Sequence, residues 1–264
     1  MPRAVVAILL GIIGCAAPAN GCPIPLEANR TSFSTWVHIG TDGPFRFLVD
    51  TGTTITVIDR TLATRIGVQP SGTIAAVSST SGALEVQQAE VRDFRAGTVT
   101  VARAKVLIAD LPHFANHGPL DGILGMSFFA GHSLLLDLRN RCIKLDVPPV
   151  AGNTLKAHEV VGRVAIETEG LNLILDSGSS FAVLTSSRAR AFTVESGTAE
   201  LTSAAGVSRT TAVIVPRLKL GRLTLRNVTA IVAPREDARV DGLLPITLFE
   251  RVYIAAERNE VVLR

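Results

Sequence analysis

Phe47-Leu48-Val49-Asp50-Thr51-Gly52-Thr53-Thr54-Ile55-Thr56-Val57-Ile58 is the stretch on which the reading of this chain turns. An apolar run enters an acidic residue, the chain turns at a glycine, and a second β-branched run leaves. That order predicts a carboxylate held where two strands meet, in a turn whose glycine permits close backbone approach. The same order of residue types returns at Leu173-Ile174-Leu175-Asp176-Ser177-Gly178-Ser179-Ser180-Phe181-Ala182-Val183-Leu184, with Asp176 lying 126 residues after Asp50. The two aspartates are the candidate functional residues, and the rest of the chain reads as the scaffold that brings them together.

Upstream of Asp50, Trp36-Val37-His38-Ile39 and Phe45-Arg46-Phe47-Leu48-Val49 predict a hairpin turning at Gly40 to Pro44. Downstream, Asp59 to Gly67 predicts a short helix that starts near Asp59 and stops at Gly67. Residues 72–92 predict two strands around a tip of small residues, Ser78-Ser79-Thr80-Ser81-Gly82. The tip has two readings: a flap that closes over a bound chain, carried by Ser79, Thr80, Ser81 and Gly82, or an ordinary surface turn. Strands follow at Gly97 to Val101 and Ala104 to Ile108, then an Asp-Gly turn and buried apolar pair at Asp121-Gly122-Ile123-Leu124-Gly125, then a last hairpin of Leu134 to Leu138 with Cys142 to Leu145. Pro148-Pro149 marks a break.

The second half repeats this programme. Ser186 to Phe192 mirrors the short helix, Thr202 to Gly206 the small-residue tip, Gly221 to Leu225 the strand at Gly97, and Asp241-Gly242-Leu243-Leu244-Pro245 the Asp121 segment. A duplicated unit accounts for the matching order better than two unrelated domains do. With helix so sparse, the expected fold is all-β, two lobes related by a pseudo-twofold axis. The expected boundaries are a leader at 1–19, a linker at 20–35, a first lobe at 36–147, a linker at 148–157 and a second lobe at 158–264.

Composition agrees with a globular chain: 47% apolar and 19% charged residues leave no disordered class to consider. Lys+Arg exceed Asp+Glu by 26 to 23, without a basic run or stripe, so no nucleic-acid partner is expected. Arg3, the apolar run Ala4 to Ile13 and the small residues after it have the layout of an export signal, and ten apolar residues are too few to span a bilayer, which takes about 20. Cleavage after Ala19 gives a soluble periplasmic or secreted protein; cleavage before Cys15, in an imperfect lipoprotein box, gives one anchored to the envelope, and a membrane contact is expected only in that case. Cys22 and Cys142 remain, either as a disulfide or with Cys142 a buried thiol. His113 and His117 lack a third ligand, so no metal or other cofactor is expected.

On these residues the chain resembles the aspartic proteases, both the two-lobed pepsins and the shorter retropepsin-like proteins, from about Trp36 to Leu263. The resemblance implies a pepsin-like fold with a retropepsin-like β-barrel in each lobe, and an endopeptidase acting on extended polypeptide through Asp50 and Asp176. It further implies that Thr51 and Ser177 cross-link the two loops, that Thr53 and Ser179 hydrogen-bond the carboxylates through their hydroxyls, and that Gly52 and Gly178 make the turns. Two carboxylates forced together share one proton and suit acid–base hydrolysis without a covalent intermediate, with an acidic optimum. Two aspartates in one chain complete the site in a monomer. The chain departs from the pattern at Pro245, where Gly125 stands in the first half; the one tyrosine, Tyr253, lies far from the first-half tip; and the lobes are short for a pepsin. A rival from another class is a pepsin-fold module that binds or inhibits an extended chain without cleaving it.

Overall fold

The computed structural model describes residues 21–28, 32–72, 74–78, 82–112, 119–194, 199–203, 206–234, 236–255 and 258–264. Six strands of the first half close on themselves. β1 (Phe33–Ile39) and β2 (Asp42–Val49) are the expected hairpin, β3 (Val57–Asp59) leaves the Asp50 loop, β4 (Ala83–Ala96) and β5 (Val99–Ala109) form a second, longer hairpin, and β6 (Gly122–Leu124) completes the set. β6 lies between β2, parallel, and β3, antiparallel. β3 runs parallel to β5, β5 antiparallel to β4, and β4 returns to β1 through Val37↔Ala96 and Ile39↔Phe94. Closure leaves these six strands without an open edge. Inside, Phe94 packs edge-on against Phe47 and Phe128, with ring centroids 5.6 Å apart in both pairs.

One local expectation changes here and another holds. The runs at 97–101 and 104–108 belong to one strand, β5, because pairing with β4 continues through residues 102 and 103, from Val99 opposite Ala96 to Ile108 opposite Gln87. The helix α1 (Arg60–Arg65) is capped by Asp59, whose carboxylate accepts the Thr61 N–H, and it buries Leu62 and Ala63.

β7 (Leu134–Asp137) and β8 (Cys142–Leu145) close the first half, and β9 (Asn153–Val160) opens the second. The programme then repeats in β10 (Arg163–Thr168), β11 (Leu171–Asp176), β12 (Ala182–Thr185), the short helix α2 (Ser186–Ala189), β13 (Ala212–Leu220), β14 (Leu223–Ala233) and β15 (Gly242–Pro245). β11 is parallel to β15, β12 antiparallel to β15 and parallel to β14, as in the first lobe. The final closure differs: β13 has no ladder to β10. Side chains from the end of β10, the turn after it and the start of β9 reach β13 instead. The Thr168 hydroxyl donates to the Lys219 carbonyl, Glu169 accepts the Lys219 N–H at 3.2 Å, and Asn153 donates to the Leu220 carbonyl at 2.7 Å.

The halves meet in one sheet. β7 pairs antiparallel with β16 (Arg251–Ala255), Leu134 opposite Ile254 and Leu136 opposite Val252. Outside them lie β8 and β17 (Glu260–Leu263), and outside those, symmetrically, Ile24–Pro25 on β8 and β9 on β17. The segment expected as a linker at 20–35 therefore carries strands: Ile24–Pro25 pairs with β8, Glu27–Ala28 pairs with β1, and β1 itself begins at Phe33. Ile24 and Leu26 are buried, which is why this stretch pairs instead of trailing, and Pro25 sits on an edge strand where a missing donor costs little. Cys22 is disulfide-bonded to Cys142 on β8. Likewise β9 begins inside the linker expected at 148–157. Among the described residues no helix is long and apolar enough to cross a membrane.

Candidate active site

Each aspartate stands where a buried strand stops. Phe47, Leu48 and Val49 before Asp50, and Leu173, Ile174 and Leu175 before Asp176, are all at most 3% exposed, so the backbone cannot shift without breaking core packing. The central pairs β2–β6 and β11–β15 hold the two strand ends, and the Asp50 N–H donates to the Leu124 carbonyl at 3.0 Å.

The next residues bind the loops to each other. The Thr51 N–H donates to Ser177 Oγ at 2.9 Å and the Ser177 N–H to Thr51 Oγ1 at 3.0 Å. Each hydroxyl in turn donates across the interface, Thr51 to the Leu175 carbonyl and Ser177 to the Val49 carbonyl, both at 2.7 Å. Thr51 is 1% and Ser177 0% exposed, so water cannot replace any of the four bonds. Gly52 and Gly178 follow, and each N–H returns to its own aspartate, at 2.8 and 2.7 Å. Their need for glycine comes from the opposite loop: a Cβ on Gly52 would lie 2.6 Å from Asp176 Cγ, and a Cβ on Gly178 would lie 2.6 Å from Asp50 Cγ. The missing side chains are what lets the two carboxyl groups come together.

The fourth position breaks the symmetry. Thr53 Oγ1 donates to Asp50 Oδ2 at 2.6 Å, as expected. Ser179 reaches Asp176 by its backbone N–H, at 3.1 Å to Oδ1, while its hydroxyl donates to the Phe181 carbonyl at 2.6 Å. The expectation of a Ser179 hydroxyl bond is thus corrected: Oδ1 already accepts two backbone N–H groups, and the serine hydroxyl closes its own turn instead.

A family model described as Aspartyl protease matches residues 37–128 and then residues 162–247, so that each Asp-(Thr/Ser)-Gly loop falls inside one match. The chain belongs to the aspartyl proteases. No curated protein matches it, so the assignment rests on the two matched segments.

In this aspartyl protease burial bears on Asp176. Asp176 is 6% exposed, and its carboxyl is pushed well above the ordinary carboxylate range, first by burial, then by the Asp50 charge and a hydrogen bond with the Asp50 side chain. The N–H groups of Gly178 and Ser179 pull the other way and lose. Two carboxyl groups this close titrate as a pair.

Behind the loops the lobes match in one respect and differ in another. Asp121 accepts the Arg46 N–H and pairs with Arg65; Asp241 accepts the Asn172 N–H and pairs with Arg188. Beyond them, the Gly125 N–H donates to Thr56 Oγ1 at 3.2 Å, and Ser127 Oγ accepts the Thr56 N–H at 3.0 Å. At the matching second-lobe positions stand Pro245 and Ala182. The proline removes the donor and the alanine removes the acceptor, so neither leaves a buried group unpaired. The second loop is supported differently, as Pro245 predicted, and Ala182 is the matching change that sequence reasoning missed.

A cavity of about 400 Å³ opens beside Asp50, lined by Gly52 and Gly178 and by the apolar side chains Leu48, Val57, Leu107 and Ile123 of the first lobe. Val77 and Leu84 reach it from the hairpin that Ile74–Ser78 forms with the start of β4, and Thr202 and Ser203 from its second-lobe counterpart, Ala199–Ser203 with Gly206–Thr210. Of the expected flap, Gly82 is described and Ser79, Thr80 and Ser81 lie outside the described residues, as do Cys15, His113 and His117. Among the described residues no three His, Cys, Asp or Glu side chains gather as a metal site would need. Arg163, on the second-lobe side of the cavity, was not picked out by sequence reading; a lone arginine opening a strand carries no local signal.

Proposed function

We propose that this protein is an aspartic endopeptidase that hydrolyses peptide bonds with a water activated between Asp50 and Asp176, the substrate lying extended in the cavity between the hairpins. The observation that carries the reading is the interlocked pair of loops: four buried hydrogen bonds and two glycines press two carboxyl groups into one site where burial raises the Asp176 carboxyl. A proton-sharing pair holds both an acid and a base. The ionised carboxylate takes a proton from water as its oxygen adds to the peptide carbonyl, and the protonated carboxyl donates to the carbonyl oxygen. In the tetrahedral diol that results, proton transfer to the nitrogen lets the C–N bond break, and the pair returns to its starting state. No covalent enzyme intermediate forms. Because Asp176 must hold its proton, activity falls as pH rises through the upper macroscopic pKa of the pair and also falls at pH low enough to protonate both carboxyls.

The deciding experiment is cleavage of denatured casein by the mature chain from pH 3 to 8, beside Asp50→Asn and Asp176→Asn, with and without a statine-type inhibitor. Loss of cleavage in both variants together with inhibition of the parent is the expected result. A folded parent that cleaves no more than its variants at any pH removes the peptidase reading and favours a module that binds an extended chain. We further place the protein outside the cytoplasm, monomeric and acting on polypeptide without a cofactor; the Cys22–Cys142 disulfide supports an oxidising compartment.

A further inference from the structure

Two charged side chains line the cavity among the described residues: Asp50 and Arg163. Arg163 opens β10 just after the Val161-Gly162 turn, and its Nε donates to the Val160 carbonyl at 3.4 Å. It makes no ion pair among the described residues. Asp237, whose charge acts on it, is already held by Arg239, through a hydrogen bond from Arg239 Nε at 2.9 Å and one from Nη2 at 3.2 Å. Burial lowers the pKa of the guanidinium, against the pull of Asp237, Asp176 and Asp50, so the group has lost part of its water without a bonded counter-charge. The hairpin registers also show that nothing in the first lobe repeats it. Ser34 pairs with Leu48 and Ala165 with Ile174, each two residues before its aspartate, which sets Ser32 at the position matching Arg163.

A half-desolvated guanidinium that faces a binding cavity without a partner is completed by an anion on what binds there. Carboxylate fits its planar fork with two parallel hydrogen bonds. We propose that Arg163 selects polypeptide substrates with a carboxylate within about three residues of the scissile bond, since an extended chain advances about 3.3 Å per residue and Arg163 lines the same cavity of about 400 Å³ as Asp50. The opposite wall is apolar, so the preferred segment pairs a large apolar side chain on the first-lobe side with the carboxylate on the second-lobe side. The inference rests on the peptidase reading and names its substrate class.

The test uses the mature chain with peptides that have an apolar pair at the cleaved bond, Glu or Gln at each of three positions on either side, and a free or amidated C-terminus. The parent is expected to favour Glu at one position by about tenfold to a hundredfold in kcat/KM, the range of a hydrogen bond to a charged group. Arg163→Met should bring that ratio close to one, and Arg163→Glu should shift the preference to Lys. A preference that follows the free C-terminus instead of Glu would identify a terminal carboxylate as the ligand. Equal ratios in parent and Arg163→Met overturn the proposal, and so does an equal loss on every peptide, which would make Arg163 a support of the aspartate pair. The same peptides with a reduced amide at the cleaved bond are then titrated by calorimetry. A preference for Glu that depends on Arg163 in binding, without cleavage of the parent substrates, keeps this inference and removes the peptidase reading; no such preference, or no binding, removes this inference.

Discussion

The two aspartate loops are nearly identical where they face each other and different where they face their own lobes. On the shared side, Thr51 and Ser177 exchange the same pair of hydrogen bonds, and Gly52 and Gly178 each leave room for the opposite aspartate. On the far side, the first loop rests on Thr56, Gly125 and Ser127, the second on the packing of Ala182 and Pro245. Each loop is the binding partner of the other across the axis, so a change on the inner face must suit both. A change on the outer face concerns one lobe. The same contrast appears in the sheets, where a ladder closes the first barrel and Thr168, Glu169 and Asn153 close the second.

The largest expected effect tests the inner face. Gly52→Ala and Gly178→Ala each place a methyl against the opposite carboxyl, 2.6 Å from its carbon, and a reacting group displaced by about 1 Å can cost about a hundredfold in rate. Both should lose at least that much in kcat/KM on a casein-derived peptide. Loss in one variant alone would break the inner symmetry. Next come the hydroxyls. Thr51→Val or Ser177→Ala leaves a buried N–H and a buried carbonyl without partners, and should lower stability by about 1–3 kcal/mol per unpaired group in denaturant titrations. The double variant should fall short of the sum, because the four bonds form one network.

Asp176 supplies a test with a definite sign. Its carboxyl is raised when folded, so the native state binds that proton more tightly than the unfolded chain does. Below the unfolded value, about 3.9, both states are protonated and the group is neutral to stability. As pH rises above that toward the folded value, the unfolded chain gives up its proton first and folding weakens. Asp176→Asn should therefore raise Tm at pH 7 and change it little at pH 3.5. The gain should be on the order of 1–3 kcal/mol, the scale of burying a group that would otherwise keep its water. A variant less stable at pH 7 than at pH 3.5, relative to the parent, would show that burial does not raise the Asp176 carboxyl.

What could be read from sequence follows the same division. The inner face is spelled by contiguous residues, Asp50 to Thr53 and Asp176 to Ser179, so the sequence exposed the pair and the duplication, and the family resemblance supplied the cross-link. Ser179 misled because a hydroxyl at the right position has two acceptors within reach, its own turn and the carboxylate, and local geometry chooses. The outer face joins residues about seventy apart, such as Thr56 with Gly125, and Pro245 gave only half of that change. Ile24 pairing with Ile143, like Arg163 reaching the cavity, depends on sheet register that no short pattern records.

The smallest effect probes the outer face. Pro245→Gly restores a backbone N–H at a buried site where Ala182 has no side-chain oxygen to accept it, and also loosens the unfolded chain, so it should cost about 1–2 kcal/mol. Adding Ala182→Thr supplies the acceptor and should recover about 1 kcal/mol, a coupling that a double-mutant cycle reads directly. The reverse exchange should fail. A Cβ on Gly125 meets the Thr53 carbonyl at 2.8 Å and the Ile55 carbonyl carbon at 2.9 Å, so Gly125→Pro is blocked by the Asp50 loop itself, even when Thr56→Ala removes the orphaned hydroxyl. Pro245 is tolerated because the second loop leaves space that the first one fills. If Gly125→Pro with Thr56→Ala folds and cleaves like the parent, the outer faces are interchangeable, and the contrast between the loops lies in their hydrogen bonds alone.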